Sequence, residues 1–315
     1  MKEGPRMKLS PNILLLLAPL FWSLNFLIGK TLAGVIPAGA LTFLRWSISL
    51  SILLPFCWKE LFINKKLFLS NWPLILTFGL TGYFLNSVGT FLAVSYTSAI
   101  NAAFIASFNP VVFALIAFFF YREKVSLVQI TGIITSLTGV LWIIFKGNLN
   151  YILHLKVNLG DGFMLLAVLS WAVYSNILKK KGKIFPWTSL FAVMIMGGIV
   201  VTTPYLITET LYSGWGWIND LNFRHYISIL AVGIFPSLLA FYCWNKAIEM
   251  VESNQAAIFL NLIPVYTTIL SIIILGEEFM LYHIIGGILI FLGVFMVTNY
   301  QTLTKSLKEK FSTGI

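Results

Sequence analysis

Charge is what this chain has least of. Only 10% of its 315 residues are charged and 58% are apolar, whereas a soluble domain carries roughly 25% charge. Too little polar sequence remains to cover a large soluble core, which excludes that class. Cysteine is nearly absent as well. Cys57 and Cys243 fall within or at the end of apolar runs, where a thiol behaves as a small apolar residue. Two such residues supply neither a disulfide framework nor a metal spacing. His154, His225 and His283 are scattered. There is no HExxH, GxSxG or phosphate loop, and Gly214-Trp215-Gly216 lacks the rest of a dinucleotide fingerprint. No enzyme activity, metal or cofactor is expected.

What is present is a series of long apolar runs. A helix needs about 20 mostly apolar residues to cross the hydrocarbon core. Ten segments meet that length, at 12–32, 38–58, 72–93, 98–120, 127–145, 160–180, 187–208, 226–245, 254–275 and 281–299. The expected fold is therefore an all-α integral membrane protein with ten transmembrane helices. Lys2, Arg6 and Lys8 before the first run, with Ala38-Gly39-Ala40 behind it, also fit a cleaved signal peptide. The run is longer than a usual signal core and has a counterpart in the second half, so it is expected to be retained.

Lysine and arginine set the orientation. With ten spans, one side carries Lys2, Arg6, Lys8, Lys59, Lys65, Lys66, Arg122, Lys124, Lys179, Lys180, Lys181, Lys183, Lys246, Lys305, Lys308 and Lys310. The other carries only Lys30, Lys146, Lys156 and Arg224. This bias places both termini, including a tail at 300–315, in the cytoplasm of a cell with the chain in its plasma membrane. The net charge of +10 is then a matter of topology and anionic lipid, and no nucleic-acid partner is implied.

Residues 93–143 recur without a gap 154 positions later, with twelve identities in 51 pairs. Ala102, Ala103, Pro110, Glu123, Gly132 and Gly139 return as Ala256, Ala257, Pro264, Glu277, Gly286 and Gly293. Five spans fit in that interval, and an odd number inverts the second copy in the bilayer, a common construction of secondary transporters. The expected units are 12–145 and 160–299, two inverted five-helix repeats around a central cavity. The glycine pairs, a heptad apart, mark the fifth and tenth spans as close-packing elements outside the transport path. Pro110 and Pro264, read as mid-helix, are expected to act as hinges. Glu123 and Glu277, at span ends, are expected to make structural contacts.

Polar residues inside spans point to the cavity. Arg45 is the clear charge within a span, where it costs about 2.5–3.5 kcal/mol on insertion scales. It either anchors an anionic substrate group such as a carboxylate or ties helices together; Lys30, near a span end, either assists it or snorkels to the interface. Tyr83, Asn86, Ser87 and Thr90 share one face of the third span, and Trp171, Tyr174 and Ser175 one face of the sixth. Asn254 and Asn261 share a face of the ninth, and Trp22, Asn25 and Gly29 one of the first. Such faces line a wet cavity or bond helix to helix; four of them in different helices favour a shared cavity.

The stretch FLAVSYTSAINAAFIASFNPVVFALIAFFFYREKVSLVQITGIITSLTGVLWI resembles the end of an EamA domain of the drug/metabolite transporter superfamily. FYCWNKAIEMVESNQAAIFLNLIPVYTTILSIIILGEEFMLYHIIGGILIFLGVF resembles it again. LGDGFMLLAVLSWAVYSNILKKK and FWSLNFLIGKTLAGVIP, followed by LTFLRW, are similar to the starts of such domains. The resemblance covers nearly the whole chain in order. It implies a cavity built from spans one, three, four, six, eight and nine, and transport of small metabolites, often export of amino acids or related compounds. By position, Trp22, Asn25 and Arg45 match polar or charged positions of the family's first repeat, and Trp171 and Tyr174 those of its second. Arg122-Glu123 stands where the family usually has Gly-Glu, a departure confined to a loop. The positions that differ between copies, such as Asn25 against Tyr174 and Ser107 against Asn261, are where substrate choice is expected. The expected partners are a small-molecule substrate and the lipid bilayer, and a homodimer is left open.

Overall fold

The computed structural model describes residues 10–32, 34–96, 105–122, 125–145, 147–148, 150, 159–275 and 280–300. Among these residues there is no strand, and helix falls on each of the ten apolar segments. The first five helices are α1 (Pro11–Leu32), α2 (Ala38–Ile63), α3 (Trp72–Tyr96), α4 (Asn109–Tyr121) and α5 (Leu127–Ile144). The next five are α6 (Leu159–Lys181), α7 (Trp187–Ser213), α8 (Phe223–Ile248), α9 (253–275) and α10 (Leu281–Thr298). Large apolar side chains stand on the outer surface: Ile284, Ile288, Leu292 and Phe295 form an exposed stripe on α10, a face that lipid covers and water would not. The molecule is an all-α, multi-pass membrane protein. Ala102, Ala103, Glu123, Glu277 and the tail beyond Tyr300 lie outside the described residues, as does the side chain of Lys30.

The duplication is legible in the backbone. α3 contains a π-helical stretch, Gly79–Leu85, and α8 contains another, Gly233–Leu239, at the same shift of 154. Leu127–Ile144 and Leu281–Thr298 keep that shift. Trp22 in α1 and Trp171 in α6 differ by 149 instead, so the second copy carries five extra residues between its second and third helices.

Where the copies meet, their contacts are reciprocal. A Cβ added to Gly139 would stand 2.6 Å from the carbonyl oxygen of Gly286, and one on Gly293 would stand 2.5 Å from that of Gly132. Gly286 and Gly293 are the repeat partners of Gly132 and Gly139, so exchanging the copies maps one contact onto the other. α5 and α10 therefore run antiparallel about a local two-fold axis that crosses them. The approach is backbone to backbone, which only glycine permits.

α2 and α7 repeat the relationship at their ends. The Glu209 carboxylate of α7 accepts from the N–H of Gly39 (2.9 Å) and of Ala40 (3.2 Å), in the first turn of α2. Glu60 of α2 accepts from the N–H of Ser189 (3.1 Å) in the first turn of α7. Each carboxylate satisfies amides that a helix start leaves unpaired and meets the positive end of the helix dipole. The two glutamates are 149 apart, as are Ala40 and Ser189. The third helix of each copy then packs on the second helix of the other. Gly79 lies against the backbone of Gly197 and Gly198, and Gly233 against Ile48, with Ser49 Oγ donating to the Gly233 carbonyl at 2.7 Å.

One expectation changes here. Pro110 and Pro264 do not sit in the middle of unbroken helices. Pro110 is the second residue of α4, after a turn at 107–108. Pro264 is the third residue of Leu262–Leu275, after the 3-10 turn Ile258–Asn261. A proline lacks the N–H that a helix interior needs but costs nothing in a first turn, so the chain breaks just before each one.

Candidate substrate cavity

Seven helices converge on one cavity of about 100 Å³, lined by both polar and apolar groups. α1 brings Trp22 and Asn25, α2 Arg45, α3 Asn86, Ser87 and Thr90, and the start of α4 Asn109. α6 brings Met164, Val168 and Trp171, α8 Phe241, and α9 Leu260 and Ile263. The lining thus uses the six helices that the resemblance implied, with α2 added through Arg45. Every charged or amide residue in it comes from the first copy.

Arg45 is 4% exposed. Its Nε donates to Ser237 Oγ at 2.6 Å, and its Nη2 lies 3.5 Å from the Pro236 carbonyl oxygen. Its guanidinium carbon stands 5.0 Å from the ring centre of Trp46 and 5.7 Å from that of Phe91, distances at which aromatic faces attract a cation. Among the described residues these partners leave three of five N–H donors uncommitted. The π-helical stretch of α8 explains the arrangement. Pro236 has no N–H for the Val232 carbonyl one turn back, and the Ser237 hydroxyl donates to that oxygen instead, at 2.6 Å. Ser237 is thereby fixed as an acceptor for Arg45.

Beneath the cavity lies a cluster of rings. Trp22, Trp171 and Phe241 form its floor, with centroids 5.2 to 5.7 Å apart. Tyr83, Tyr174, Trp46 and Trp244 pack below them and are fully buried. Tyr174 Oη donates to Asn245 Oδ1 at 2.7 Å and lies 3.4 Å from Tyr83 Oη, while Trp244 Nε1 donates to Ser175 Oγ at 3.0 Å. Gly82 makes room for the Tyr174 ring: a Cβ there would come within 2.5 Å of it. This plug closes the side of the cavity away from the starts of α2 and α6.

Of the residues singled out in the sequence, Trp22, Asn25, Arg45, Asn86, Thr90 and Trp171 line the cavity together. Tyr83 and Tyr174 belong to the plug. Asn261 turns away, donating from Nδ2 to Ser136 Oγ of α5 at 3.0 Å, and Ser107 is buried before α4 without lining the cavity. The α5–α10 pair contributes nothing to the lining, in keeping with its packing role. The sequence reading missed Asn109, whose place beside Pro110 looks like ordinary helix-start chemistry, and Asn245. It also missed the Glu60 and Glu209 caps, which join helices far apart in the chain.

The model of the EamA-like transporter family matches residues 9–145 and again 158–299. The chain belongs to the EamA-like transporter family. The uncharacterized transporter YyaM of Bacillus subtilis (strain 168) is 24% identical over 93% of this chain and 95% of its own length. An uncharacterized transporter of Clostridium kluyveri is 26% identical over 96% and 97%. Another from Archaeoglobus fulgidus is 26% identical over 92% and 98%. One solved crystal structure superposes with a TM-score of 0.75 at 18% identity, over 94% of this chain and 98% of that one, a likeness of fold. This EamA-like protein is a small-molecule transporter of the membrane and not an enzyme.

Proposed function

We propose that this transporter moves amino acids or closely related metabolites across the plasma membrane by alternating access, most simply as an exporter. Arg45 carries the reading. A guanidinium sits inside a membrane-embedded cavity with donors to spare, and no carboxylate of the described residues shares its hydrogen bonds. A charge held there at a cost of about 2.5–3.5 kcal/mol is offset when a substrate carboxylate takes it in the bidentate geometry that guanidinium favours.

The lysine and arginine bias supports cytoplasmic termini, and the reciprocal antiparallel contacts of α5 with α10 support copies inverted in the bilayer. On that orientation the cavity lies toward the outside and the Tyr83–Tyr174–Asn245 plug toward the cytoplasm. The halves then rock, with α4 and α9 bending at the breaks before Pro110 and Pro264. No carboxylate of the described residues lines the cavity, so uniport or exchange down a substrate gradient needs no titrating relay. Uptake by proteoliposomes with and without an imposed pH gradient tests the coupling, and strict dependence on that gradient would refute uniport. Cells expressing the protein should change their resistance to toxic amino-acid analogues; unchanged resistance across a broad panel would count against the substrate class.

A further inference from the structure

A second groove, of about 570 Å³, lies between the start of α3 and the end of α6. Lys180 and Lys181, the last residues of α6, give it two exposed cations. Ser70 and Asn71, just before α3, complete its polar lining. Leu74 of α3 and Ile177 of α6, each one turn further into its helix, line it with apolar surface. No acidic residue is among the described residues that line it.

The duplication does not account for the lysines. At the shift of 149 that relates α1 to α6, Ile177 corresponds to Ile28, but Lys180 and Lys181 correspond to Thr31 and Leu32. The apolar wall recurs and the charge does not. Phe68 and Phe185 stack at 5.4 Å, which ties the segment before α3 to the one after α6 and holds the groove's width. Asn71 Nδ2 is spent on the Leu67 carbonyl (2.9 Å) and Ser70 Oγ (3.2 Å), and Ser70 Oγ donates to the same carbonyl (3.0 Å). The neutral residues therefore hold one another and leave an anion to the lysines. Leu69 and Trp72, beside them in the chain, are 70% and 60% exposed, as befits residues that meet the membrane interface.

On the proposed orientation the groove opens at the cytoplasmic headgroup level. Its cations then lie at the depth of lipid phosphates, and Leu74 and Ile177 lie where acyl chains begin. Solvated loop lysines need no apolar wall beneath them, and neither does a soluble phosphate. A lipid uses both.

We propose that this groove binds an anionic phospholipid of the cytoplasmic leaflet, with Lys180 and Lys181 on its phosphate and an acyl chain along Leu74 and Ile177. Basic pockets between membrane helices hold anionic headgroups by the same chemistry. The groove shares no lining residue with the Arg45 cavity, so it stands whether or not Arg45 anchors a substrate.

The test titrates the full-length protein in neutral detergent with phosphatidylglycerol or with phosphatidylcholine of the same acyl chains, and counts bound lipids by native mass spectrometry. Wild type should bind phosphatidylglycerol at least about tenfold more tightly, on the scale of two surface cations meeting an anionic headgroup. Lys180→Gln/Lys181→Gln should lose that preference, and Lys180→Arg/Lys181→Arg should keep it. Lys65→Gln/Lys66→Gln removes the same charge from exposed lysines outside the groove and should leave the preference unchanged. Equal binding of the two lipids by wild type overturns the proposal. Equal loss in both glutamine variants overturns it too, because attraction is then a property of the whole basic surface. Inorganic phosphate should not compete; displacement of phosphatidylglycerol by it would assign the groove to a soluble anion instead. A ligand of the folded state stabilises that state, so phosphatidylglycerol should raise the thermal midpoint of wild type and not that of Lys180→Gln/Lys181→Gln. An equal rise in both would contradict a lipid site at these lysines.

Discussion

Arg45 Nε and Ser237 Oγ lie 2.6 Å apart although 192 residues separate them. The bond ties the second helix of one copy to the π-helical stretch of the other, and it aims the one buried guanidinium of the cavity. Ser237→Ala should leave the fold intact and free the guanidinium to swing. A hydrogen bond to a charged group contributes about 1.5–3 kcal/mol, so apparent substrate affinity should fall roughly tenfold to a hundredfold. Saturation kinetics in proteoliposomes check this; unchanged affinity would show that Trp46 and Phe91 alone orient Arg45.

The plug should be held shut by its hydrogen bonds as well as its rings. Tyr174→Phe keeps every ring contact and removes the bond to Asn245 and the approach to Tyr83. At about 0.5–1.5 kcal/mol per neutral bond, the balance of open states should, on the proposed orientation and alternating access, shift toward the cytoplasmic side. In a background lacking Cys57 and Cys243, a cysteine placed at Ser175 should react faster with a thiol reagent added from the cytoplasmic face. An equal rate with Tyr174 retained would mean that packing alone closes the plug.

The glutamate caps at the two ends of the α2–α7 pair predict matched losses. Glu60→Ala and Glu209→Ala should each lower stability by about 1 kcal/mol, the usual value of a helix-start acceptor. The double variant should be close to additive because the caps lie at opposite ends of the pair. Thermal unfolding in detergent measures both, and a marked loss from only one would break the reciprocity.

Neighbouring glycines on α10 should behave in opposite ways. A Cβ on Gly286 would meet the Gly139 carbonyl oxygen at 2.8 Å and Ile143 closer still, whereas nothing lies within 4 Å of one on Gly287. Gly286→Ala should therefore force the helices apart at about 1–3 kcal/mol, while Gly287→Ala should be neutral or gain slightly from helix propensity. Thermal midpoints of the two variants decide; equal values would contradict the close α5–α10 approach.

Span length and the repeat were readable because both follow from composition and from residues with hard steric rules. Twenty apolar residues have few options besides crossing a bilayer, and matched Pro and Gly positions mark a shared backbone. Arg45 stood out for the same reason, as a charge where charge is costly. The polar stripe of α3 was read as one surface, yet Tyr83 enters the plug while Asn86 and Thr90 face the cavity. The difference lies in the rings that α6 and α8 bring against it, which no spacing within α3 encodes. Asn261 has the same cause: a serine on α5 takes its amide. The π-helical stretches were invisible because their i to i−5 pattern depends on Pro236, Gly82 and the helices packed beside them.

The central claim is that Arg45 holds the substrate's anionic group. Its most direct test is counterflow of a labelled amino-acid mixture in proteoliposomes, comparing wild type with Arg45→Gln at equal amounts of folded, reconstituted protein. The account predicts saturable counterflow in wild type and its loss in Arg45→Gln. Undiminished counterflow in the variant would contradict it and return Arg45 to the role of a tie between helices.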